Sequence, residues 1–256
     1  MTVELTKTPS FRLDGKRALV TGAGRGIGLA AAAALAEAGA HATLAARTSK
    51  EIEEAAAAIR ARNQKADWLT IDVRDVDAVK AAIDRHEPFD ILVNNAGTNK
   101  PAPFVDVKVE DFDFVFSLNV RAAYFVAQAV ARKLIEMKKP GSIINVSSQM
   151  GHVGGPTRTV YCATKHAMEG FSKAMAMELA PHGIRVNTVA PTFIETPLTR
   201  PFFASGDFAR YVRERIPMGH LGSIADVANA VLYLASPASA LVTGTSLRVD
   251  GGWTAQ

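Results

Sequence analysis

Short apolar runs alternate with longer helical stretches along almost the whole chain, and this alternation constrains the fold more than any other feature. The runs are rich in Val, Ile, Leu and Ala and have the length of buried strands. The predicted strands cover residues 16–21, 41–46, 67–73, 91–94, 141–147, 184–190 and 246–249. Strands that alternate with helices form βαβ units, so the pattern predicts a doubly wound parallel α/β sheet of about seven strands with helices on both faces.

Helix start and stop signals support this pattern. Gly39 follows an Ala-rich stretch and predicts the C-terminal end of a helix over 27–38. Thr48 and Glu51 have the spacing of a capping box, which predicts a helix over 48–62. Asp75 and Ser223 are placed to cap two later helices, the second over 223–234. The two longest predicted helices cover 109–137 and 159–180.

Composition indicates one large domain over residues 1–256. The chain is 48% hydrophobic and 21% charged, enough to bury a sizeable core, and it has neither a linker nor an internal repeat. The net charge is only +4 and the basic residues are scattered, so we expect no nucleic-acid partner. We also expect no metal site.

The chain has one cysteine, Cys162, which excludes an internal disulfide and fits a reducing compartment. The polar residues 1–12 lack the apolar core of a signal peptide. No apolar run reaches the length needed to span a membrane. We therefore expect a cytoplasmic location and no membrane partner.

A glycine-rich loop joins the first predicted strand to the first predicted helix. Glycines let the backbone turn tightly and approach a pyrophosphate, whose charge favours a helix N-terminus. The loop contains Gly22, Gly24, Arg25, Gly26, Ile27 and Gly28. Its spacing differs from G-x-G-x-x-G because Ile27 stands where the last glycine would be, and it lacks the Lys-Ser/Thr ending of a P-loop. Taken alone, the loop could be a tight strand-to-helix turn.

Three more motifs follow in order along the chain. They are Asn94-Asn95-Ala96-Gly97 after the fourth strand, Ser148 with Tyr161-x-x-x-Lys165, and Val249-Asp250-Gly251-Gly252 near the end. Together with Thr-Gly-x-x-x-Gly-x-Gly, this set resembles the short-chain dehydrogenase/reductase family over roughly residues 13–253. The resemblance implies a Rossmann-like fold that binds a nicotinamide dinucleotide.

The resemblance also assigns roles around that cofactor. It places Asp72 and Val73 at the adenine ring, and Asn95, Ala96 and Gly97 at the ribose. Towards the nicotinamide it places Pro191, Ile194 and Thr196, together with Tyr161 and Lys165. Thr192 stands where the family commonly has glycine, which puts the local backbone turn in doubt.

The end of the second strand indicates which dinucleotide is bound. An NAD site places a carboxylate there for the ribose hydroxyls, whereas Ala46, Arg47 and Thr48 offer none. The Arg47 guanidinium suits a 2′-phosphate, and Arg25 could add a second positive charge. NADP(H) is favoured, NAD(H) remains possible, and Arg47 could also be an ordinary solvated loop residue.

Tyr161 and Lys165 are four residues apart in a predicted helix, so they share one face. An ammonium beside a phenol lowers the pKa of the phenol and makes it a usable proton donor and acceptor. By resemblance, Ser148 would bond the substrate oxygen, with Ser147 as the competing assignment. Asn119 matches the family asparagine that holds a water in a proton relay.

The least regular stretch, about 193–216, corresponds to a substrate lid in the family. Phe193 and Phe202 could wall a hydrophobic pocket from this lid, with Gln149 and His152 on the opposite side. Glu195 argues against a strongly anionic substrate close by. No feature identifies a particular substrate.

These observations favour an NADP(H)-dependent oxidoreductase acting on a small-molecule ketone, aldehyde or secondary alcohol. An NAD(H)-dependent polyol or sugar-alcohol dehydrogenase is the second hypothesis, and a non-catalytic dinucleotide sensor is the third. The resemblance implies a homotetramer, for which apolar faces at 124–130 and 168–179 are suited, although helices buried within one subunit would look similar.

Overall fold

A computed structural model describes residues 7–196, 203 and 206–255 and shows one parallel sheet of seven strands in the order β3-β2-β1-β4-β5-β6-β9. These strands are β1 (Arg17–Thr21), β2 (His41–Ala46), β3 (Ala66–Thr70), β4 (Ile91–Asn94), β5 (Gly141–Val146), β6 (Ile184–Pro191) and β9 (Ser246–Val249). The doubly wound α/β prediction is therefore confirmed.

Helices connect these strands, as expected for βαβ units. They are α1 (Gly26–Glu37), α2 (Ser49–Arg60), α3 (Val76–Arg85), α4 (Val109–Phe116), α5 (Ala123–Glu136), α6 (Thr159–Leu179), α7 (Asp207–Glu214) and α8 (Ile224–Ala235). Helices α1, α2 and α8 pack on one face of the sheet around Leu35, Ile52 and Val231. Helices α3, α5 and α6 cover the other face.

Most helix ends lie where the sequence predicts them. Gly39, at φ +108°, follows the end of α1, and the Asp75 carboxylate accepts a 3.0 Å hydrogen bond from the amide of Ala78 at the start of α3. Ser223 caps α8 through a reciprocal capping box with Asp226.

The capping box predicted at the start of α2 is wrong. Thr48 precedes the helix but its side chain makes no capping hydrogen bond. The carboxylate of Glu51 instead lies beside the glycine loop, 2.9 Å from where a Cβ on Gly24 would stand. The spacing of a capping box is compatible with this outcome because a side chain at the third helical position can also turn outward, towards a neighbouring loop.

The long helix predicted over 109–137 is interrupted. A π-helical segment, Ser117–Ala122, separates α4 from α5. Short π segments often occur at functional sites, and this one contains Asn119. By length and composition, the stretch Val109–Glu136 could cross a membrane, but here it packs beside the sheet, with 44% of its most apolar window buried.

A second, two-stranded sheet stands outside the sequence prediction. It pairs β7 (Ile194–Glu195) with β8 (Gly222–Ser223) in parallel and ties the segment after β6 to the start of α8. Thr192 lies two residues before β7 and is not among the described residues with positive φ. The backbone turn at Thr192 therefore does not require the glycine that the family commonly has.

The carboxyl ends of β1 and β4 lie side by side where the strand order reverses. Strands β2 and β3 continue from β1 in one direction, and β5, β6 and β9 continue from β4 in the other. Ligands of doubly wound sheets bind in the crevice at this point. The glycine loop leaves β1 there, and the Asn95–Gly97 segment leaves β4 beside it.

Candidate active site

The glycine loop is held in place by the segment that follows β4. The Asn95 amide donates to the carbonyls of Thr21 (3.0 Å) and Gly22 (3.1 Å). The Thr21 hydroxyl in turn accepts from the backbone N–H groups of Asn95 and Ala96, both at 3.1 Å. Asn95 thus braces the loop from behind, a role that the sequence assigned neither to it nor to Thr21.

Two glycines of the loop are required by close packing. A Cβ on Gly28 would lie 2.4 Å from the Gly22 carbonyl oxygen and 2.5 Å from the Asn95 amide nitrogen. Gly22 has φ +64°, and a Cβ there would lie 2.9 Å from the Cα of Ala96. Because no side chain fits at either position, the backbone of the loop stays bare at the start of α1.

A cleft of about 230 Å³ opens beside this loop. It brings together most of the predicted adenosine and phosphate residues: Gly22, Gly24, Arg25, Arg47, Thr48, Asp72, Val73, Asn95, Ala96 and Gly97. Gly26, Ile27 and Gly28 belong to the first turn of α1 and do not line it. Its position and its lining suit a dinucleotide, because the backbone can approach a pyrophosphate closely there.

The charges in the cleft are mixed. Arg25 and Arg47 are exposed and line it without an ion-pair partner among the described residues. Asp72 is held by Arg74, whose guanidinium lies 2.6 Å from its carboxylate, and this hydrogen bonding lowers the pKa of Asp72. Glu51 also lines the cleft, and the sequence interpretation missed it because it treated Glu51 only as a helix cap.

One face of α6 carries ionisable side chains into the site. Tyr161 and Lys165 lie one turn apart, and the Lys165 ammonium is 5.5 Å from the centre of the Tyr161 ring. Ser148, just after β5, hydrogen-bonds the Tyr161 hydroxyl, which lowers the pKa of Tyr161, but burial has the larger effect and raises it. The pKa of Tyr161 is therefore raised overall, whereas the sequence led us to expect that the Lys165 ammonium lowers it.

The two serines after β5 differ as strand alternation predicts. Ser148 accepts from the Met150 amide at 3.1 Å and donates to the Gln149 side-chain oxygen at 2.9 Å, besides contacting Tyr161. The Ser147 hydroxyl is buried without a hydrogen-bond partner. The structure therefore places Ser148, and not Ser147, beside the phenol.

Lys165 is buried, and its ammonium donates a 2.7 Å hydrogen bond to the carbonyl of Val146 at the end of β5. Burial lowers the pKa of Lys165 to about 8, and the nearby Glu169 carboxylate opposes this shift. Near neutral pH Lys165 is therefore protonated and positively charged. The Val146 carbonyl and the Glu169 carboxylate stabilise this charge.

Asn119 lies in the π-helical segment and is fully buried. Its amide group bonds both the N–H and the carbonyl of Thr98, each at 2.8 Å, and donates to the Thr164 hydroxyl at 3.1 Å. These bonds join the segment after β4 to α6 next to Lys165. The geometry gives Asn119 a bracing position close to the lysine, and a role in a proton relay stays a prediction.

A buried polar network occupies the next turn of α6. The Glu169 carboxylate accepts from Thr188 of β6 at 2.8 and 3.0 Å and from Ser246 of β9 at 3.2 Å. The His152 ring nitrogen Nε2 lies 2.8 Å from the Ser246 hydroxyl and 3.4 Å from Glu169. Since Nε2 is already engaged, a substrate contact from His152 would have to use the other ring nitrogen.

The remaining predicted substrate residues lie in two different places, one beside Ser148 and the other in an apolar cluster. Gln149 is buried and bonded to Ser148. Phe193 packs against Phe203 and Trp253, with ring centres 5.9 and 5.6 Å away, in an apolar cluster that includes described residues of the predicted lid segment. Phe202 lies outside the described residues.

Pro191 and Ile194 are buried at the end of β6 and in β7, with Thr196 partly buried after them. Pro191 ends β6 and pairs with Val249, and Ile194 and Thr196 follow it on the same chain segment. Their contact with a nicotinamide stays a prediction. Among the described residues, no group of three or more His, Cys, Asp or Glu side chains could hold a metal ion.

The low pKa of Lys165 predicts how activity depends on pH. We expect kcat/KM for reduction to fall above about pH 8, where Lys165 loses its proton in the free protein. The raised pKa of Tyr161 keeps its hydroxyl protonated to higher pH, so the titrations of the two groups are separable. A profile that is level up to pH 10 would contradict the assignment.

The lowered pKa of Lys165 also makes the free energy of unfolding depend on pH, which can be measured. The folded pKa of Lys165, about 8, lies below the unfolded value of about 10.4. Between these values the unfolded chain binds more protons, so the Lys165 contribution to stability rises with pH through this window. Lys165→Met should remove that rise in the free energy of unfolding, measured by denaturant titration from pH 7 to 10.

Residues 22–254 match a family model described as enoyl-(acyl carrier protein) reductase. The chain is 43% identical over 245 residues to D-erythrulose reductase of Gallus gallus, covering 96% of this chain and 98% of that one. It is 40% identical to L-xylulose reductase of Bos taurus, covering 96% and 99% of the two chains.

A solved structure is also very similar. It is a gluconate 5-dehydrogenase from Burkholderia cenocepacia J2315 in complex with NADP and tartrate, with a TM-score of 0.92 and 40% identity. The match covers 96% of this chain and 98% of that one. Two of these three proteins are named as reductases and the third as a dehydrogenase.

Proposed function

The chain belongs to the short-chain dehydrogenase/reductase family and is an enzyme acting on CH–OH and C=O groups, and we propose that it is NADP(H)-dependent, with Tyr161 as the general acid and base. The observation that carries this proposal is the arrangement on α6. Its face presents the Tyr161 hydroxyl to Ser148, with the buried Lys165 ammonium one turn further.

In reduction, the Tyr161 hydroxyl donates its proton to the carbonyl oxygen as that oxygen gains negative charge. Ser148 directs its hydrogen to the same oxygen, releasing the Gln149 side chain to which it now donates. NADPH, when bound, would supply the hydride for this reduction, and NADP⁺ would accept it in the reverse oxidation. Lys165 stabilises negative charge on the phenol, and Arg158, which also lowers the pKa of Tyr161, assists it.

The cofactor preference follows from the charges in the cleft beside the glycine loop. The unpaired guanidiniums of Arg47 and Arg25 suit the dianionic 2′-phosphate of NADP(H). The bare backbone at Gly22 and Gly24 leaves room for the pyrophosphate. The NADP that is bound to the gluconate 5-dehydrogenase supports the same choice.

An NAD(H)-dependent polyol or sugar-alcohol dehydrogenase is the second candidate, and one observation favours it. The Glu51 carboxylate lines the cleft and could accept hydrogen bonds from ribose hydroxyls, which is the role of the acidic residue in an NAD site. It would also repel a phosphate. The two cofactors therefore need a direct comparison.

The names of the similar proteins indicate the substrate class. D-Erythrulose and L-xylulose are ketoses, and gluconate is a sugar acid. We propose a polyhydroxylated ketone, or the alcohol derived from it, as the substrate. The aromatic and apolar side chains of the predicted lid segment would keep water from this substrate, and Ser148, Tyr161 and Arg158 would supply the polar contacts.

The test is the initial rate of NADPH and NADH oxidation with a panel of carbonyls that includes D-erythrulose, L-xylulose, diacetyl and keto acids. We expect turnover with NADPH preferred. Turnover with NADH alone would support the second candidate. Tight cofactor binding without turnover in either direction would support a dinucleotide sensor and contradict the proposal.

We also propose that the enzyme is a homotetramer, as its resemblance to the family implies. In the two apolar faces considered for the interface, Val126 and Met168 pack inside the subunit, but Tyr124 and Met177 are exposed. A groove between α5 and α6 adjoins Tyr124. Light scattering at micromolar concentration should give four times the mass of the chain, and a monomer would contradict the proposal.

A further inference from the structure

Arg158 lies immediately before α6, one helical turn ahead of Tyr161. Residues three and four apart on a helix share a face, so Arg158 is on the side of Tyr161 and Cys162. Its positive charge acts on both groups and favours the charged form of each. The face of α6 thus presents Arg158, Tyr161, Lys165 and Glu169 in sequence, with Arg158 at the open end.

The guanidinium of Arg158 has no hydrogen-bond acceptor in the part of the chain that the structure describes. Its Nη1 is buried without a hydrogen-bond partner, and none of its nitrogens has a hydrogen bond or an ion pair within the described residues. Burial lowers the pKa of Arg158. Arginine donors removed from water are normally paired, because an unpaired buried charge is strongly unfavourable. The side chain is partly exposed, so its other nitrogens remain accessible to a ligand.

The loop before α6 packs against the Arg158 side chain. Its stem lies 3.5 Å from where a Cβ on Gly155 would stand, next to the Met150 side chain. Thr157 has φ +59°, an unfavourable conformation for a β-branched residue, and its carbonyl accepts from the Ala102 amide at 3.1 Å. Such strain is retained where the surrounding structure requires it, often at ligand sites.

Within residues 7–196, 203 and 206–255, no carboxylate forms an ion pair with this guanidinium. Glu169, on the same face, is bonded to Thr188 and Ser246. Glu195, which the sequence suggested would repel an anion, is exposed on β7 and is not among the groups that act on the pKa of Tyr161 or Arg158. Burial raises the pKa of the Cys162 thiol, which keeps it neutral.

We propose that Arg158 binds a carboxylate of the substrate, so that the preferred substrate is a polyhydroxylated keto acid, or the corresponding hydroxy acid, rather than a neutral ketose. This proposal rests on the proposed function and names the substrate class of the same site. A carboxylate matches the planar fork of a guanidinium and carries one charge for one arginine. A phosphate ester carries about two negative charges and would call for a second free cation.

The experiment compares two substrates that differ in one group. 5-Keto-D-gluconate carries a carboxylate where L-sorbose carries a hydroxymethyl group, and the carbonyl and other hydroxyls are the same. Values of kcat and KM with NADPH are measured for the wild type, Arg158→Gln and Arg158→Lys. Arg62→Gln, an exposed arginine after α2, removes the same charge far from the site.

We expect kcat/KM for the keto acid to fall about 30- to 100-fold more than for L-sorbose in Arg158→Gln, mainly through KM. Arg158→Lys should recover part of this loss, and Arg62→Gln should leave the ratio unchanged. Equal losses on both substrates would overturn the proposal and show that Arg158 acts only through Tyr161. An enzyme active on neutral ketoses but not on keto acids would overturn it as well.

Failure of the proposed function would look different, because no carbonyl would be reduced by the wild type. Calorimetric titration of the NADP⁺ complex with D-gluconate and D-glucitol then measures the affinity of each ligand. This tests the role of Arg158 without requiring turnover. Tighter binding of D-gluconate than of D-glucitol that is lost in Arg158→Gln supports the proposal. Equal affinities for the two ligands overturn it.

Discussion

Replacement of Tyr161 with phenylalanine is expected to lower kcat/KM for carbonyl reduction about 1,000-fold or more, because the proton donor to the developing alkoxide is lost. The phenyl ring fills the same volume, and the Lys165 ammonium keeps its bond to Val146. The dissociation constant of NADPH, measured by fluorescence titration, should therefore change little. The effect should appear in kcat, since the lost interaction develops only in the transition state.

Tyr233→Phe is the matched control, because it removes a hydroxyl from a tyrosine on α8 that packs beside Phe11, away from the site. It should retain the wild-type rate. Ser147→Ala and Ser148→Ala form a second matched pair. The Ser147 hydroxyl has no partner, so only the loss of the Ser148 hydroxyl should lower kcat. A Tyr161→Phe enzyme with a wild-type rate would show that another group donates the proton.

Arg47→Asp is expected to lower kcat/KM with NADPH about 100-fold, while kcat/KM with NADH stays within a few-fold of the wild type. The guanidinium that faces the cleft is replaced by a carboxylate, which repels the 2′-phosphate. The same carboxylate can accept hydrogen bonds from the ribose hydroxyls of NADH. Glu51 and Asp72 already line this cleft, so the substitution adds a third carboxylate to its lining.

Steady-state rates with each cofactor at fixed substrate measure this preference. Arg62→Asp makes the same charge change on an exposed arginine after α2 and should leave the preference as it is. An unchanged ratio of NADPH to NADH efficiency in Arg47→Asp would mean that Arg47 does not contact the phosphate. The NAD(H) candidate would then gain support through Glu51.

Much of the fold follows from the sequence because its strands are short, apolar and separated by clear helix signals. The bounds of β2, β4 and β9 agree with the pattern, and Ser223 and Asp75 cap their helices as predicted. Local signals are sufficient at these positions, since the capping side chain and its amide partner are only three residues apart.

Local signals fail where distant parts of the chain decide the outcome. The π-helical segment at Asn119 depends on bonds to Thr98 and Thr164, which are remote in sequence. The pairing of β7 with β8 joins Ile194 to Gly222 across a stretch of weak periodicity. Glu51 faces the glycine loop only because α2 packs beside it.

The candidate site was predictable wherever a motif names the residue. The structure brings the predicted Ser148, Tyr161 and Lys165 together and lines one cleft with the predicted adenosine residues. It also gives three residues roles that no motif indicates: Thr21, Glu169 and Arg158. The roles of these three residues depend on their burial and on their hydrogen-bond partners. Neither can be read from the sequence alone.

Transfer of a labelled hydride tests the central claim most directly. The enzyme is incubated with a polyhydroxylated ketone and NADPH that carries deuterium at both C4 positions of the nicotinamide, and the product is analysed by mass spectrometry and NMR. We expect one deuterium on the new carbinol carbon for each NADP⁺ formed, and none with Tyr161→Phe over the same interval. NADPH oxidation that leaves no label in the product would contradict it.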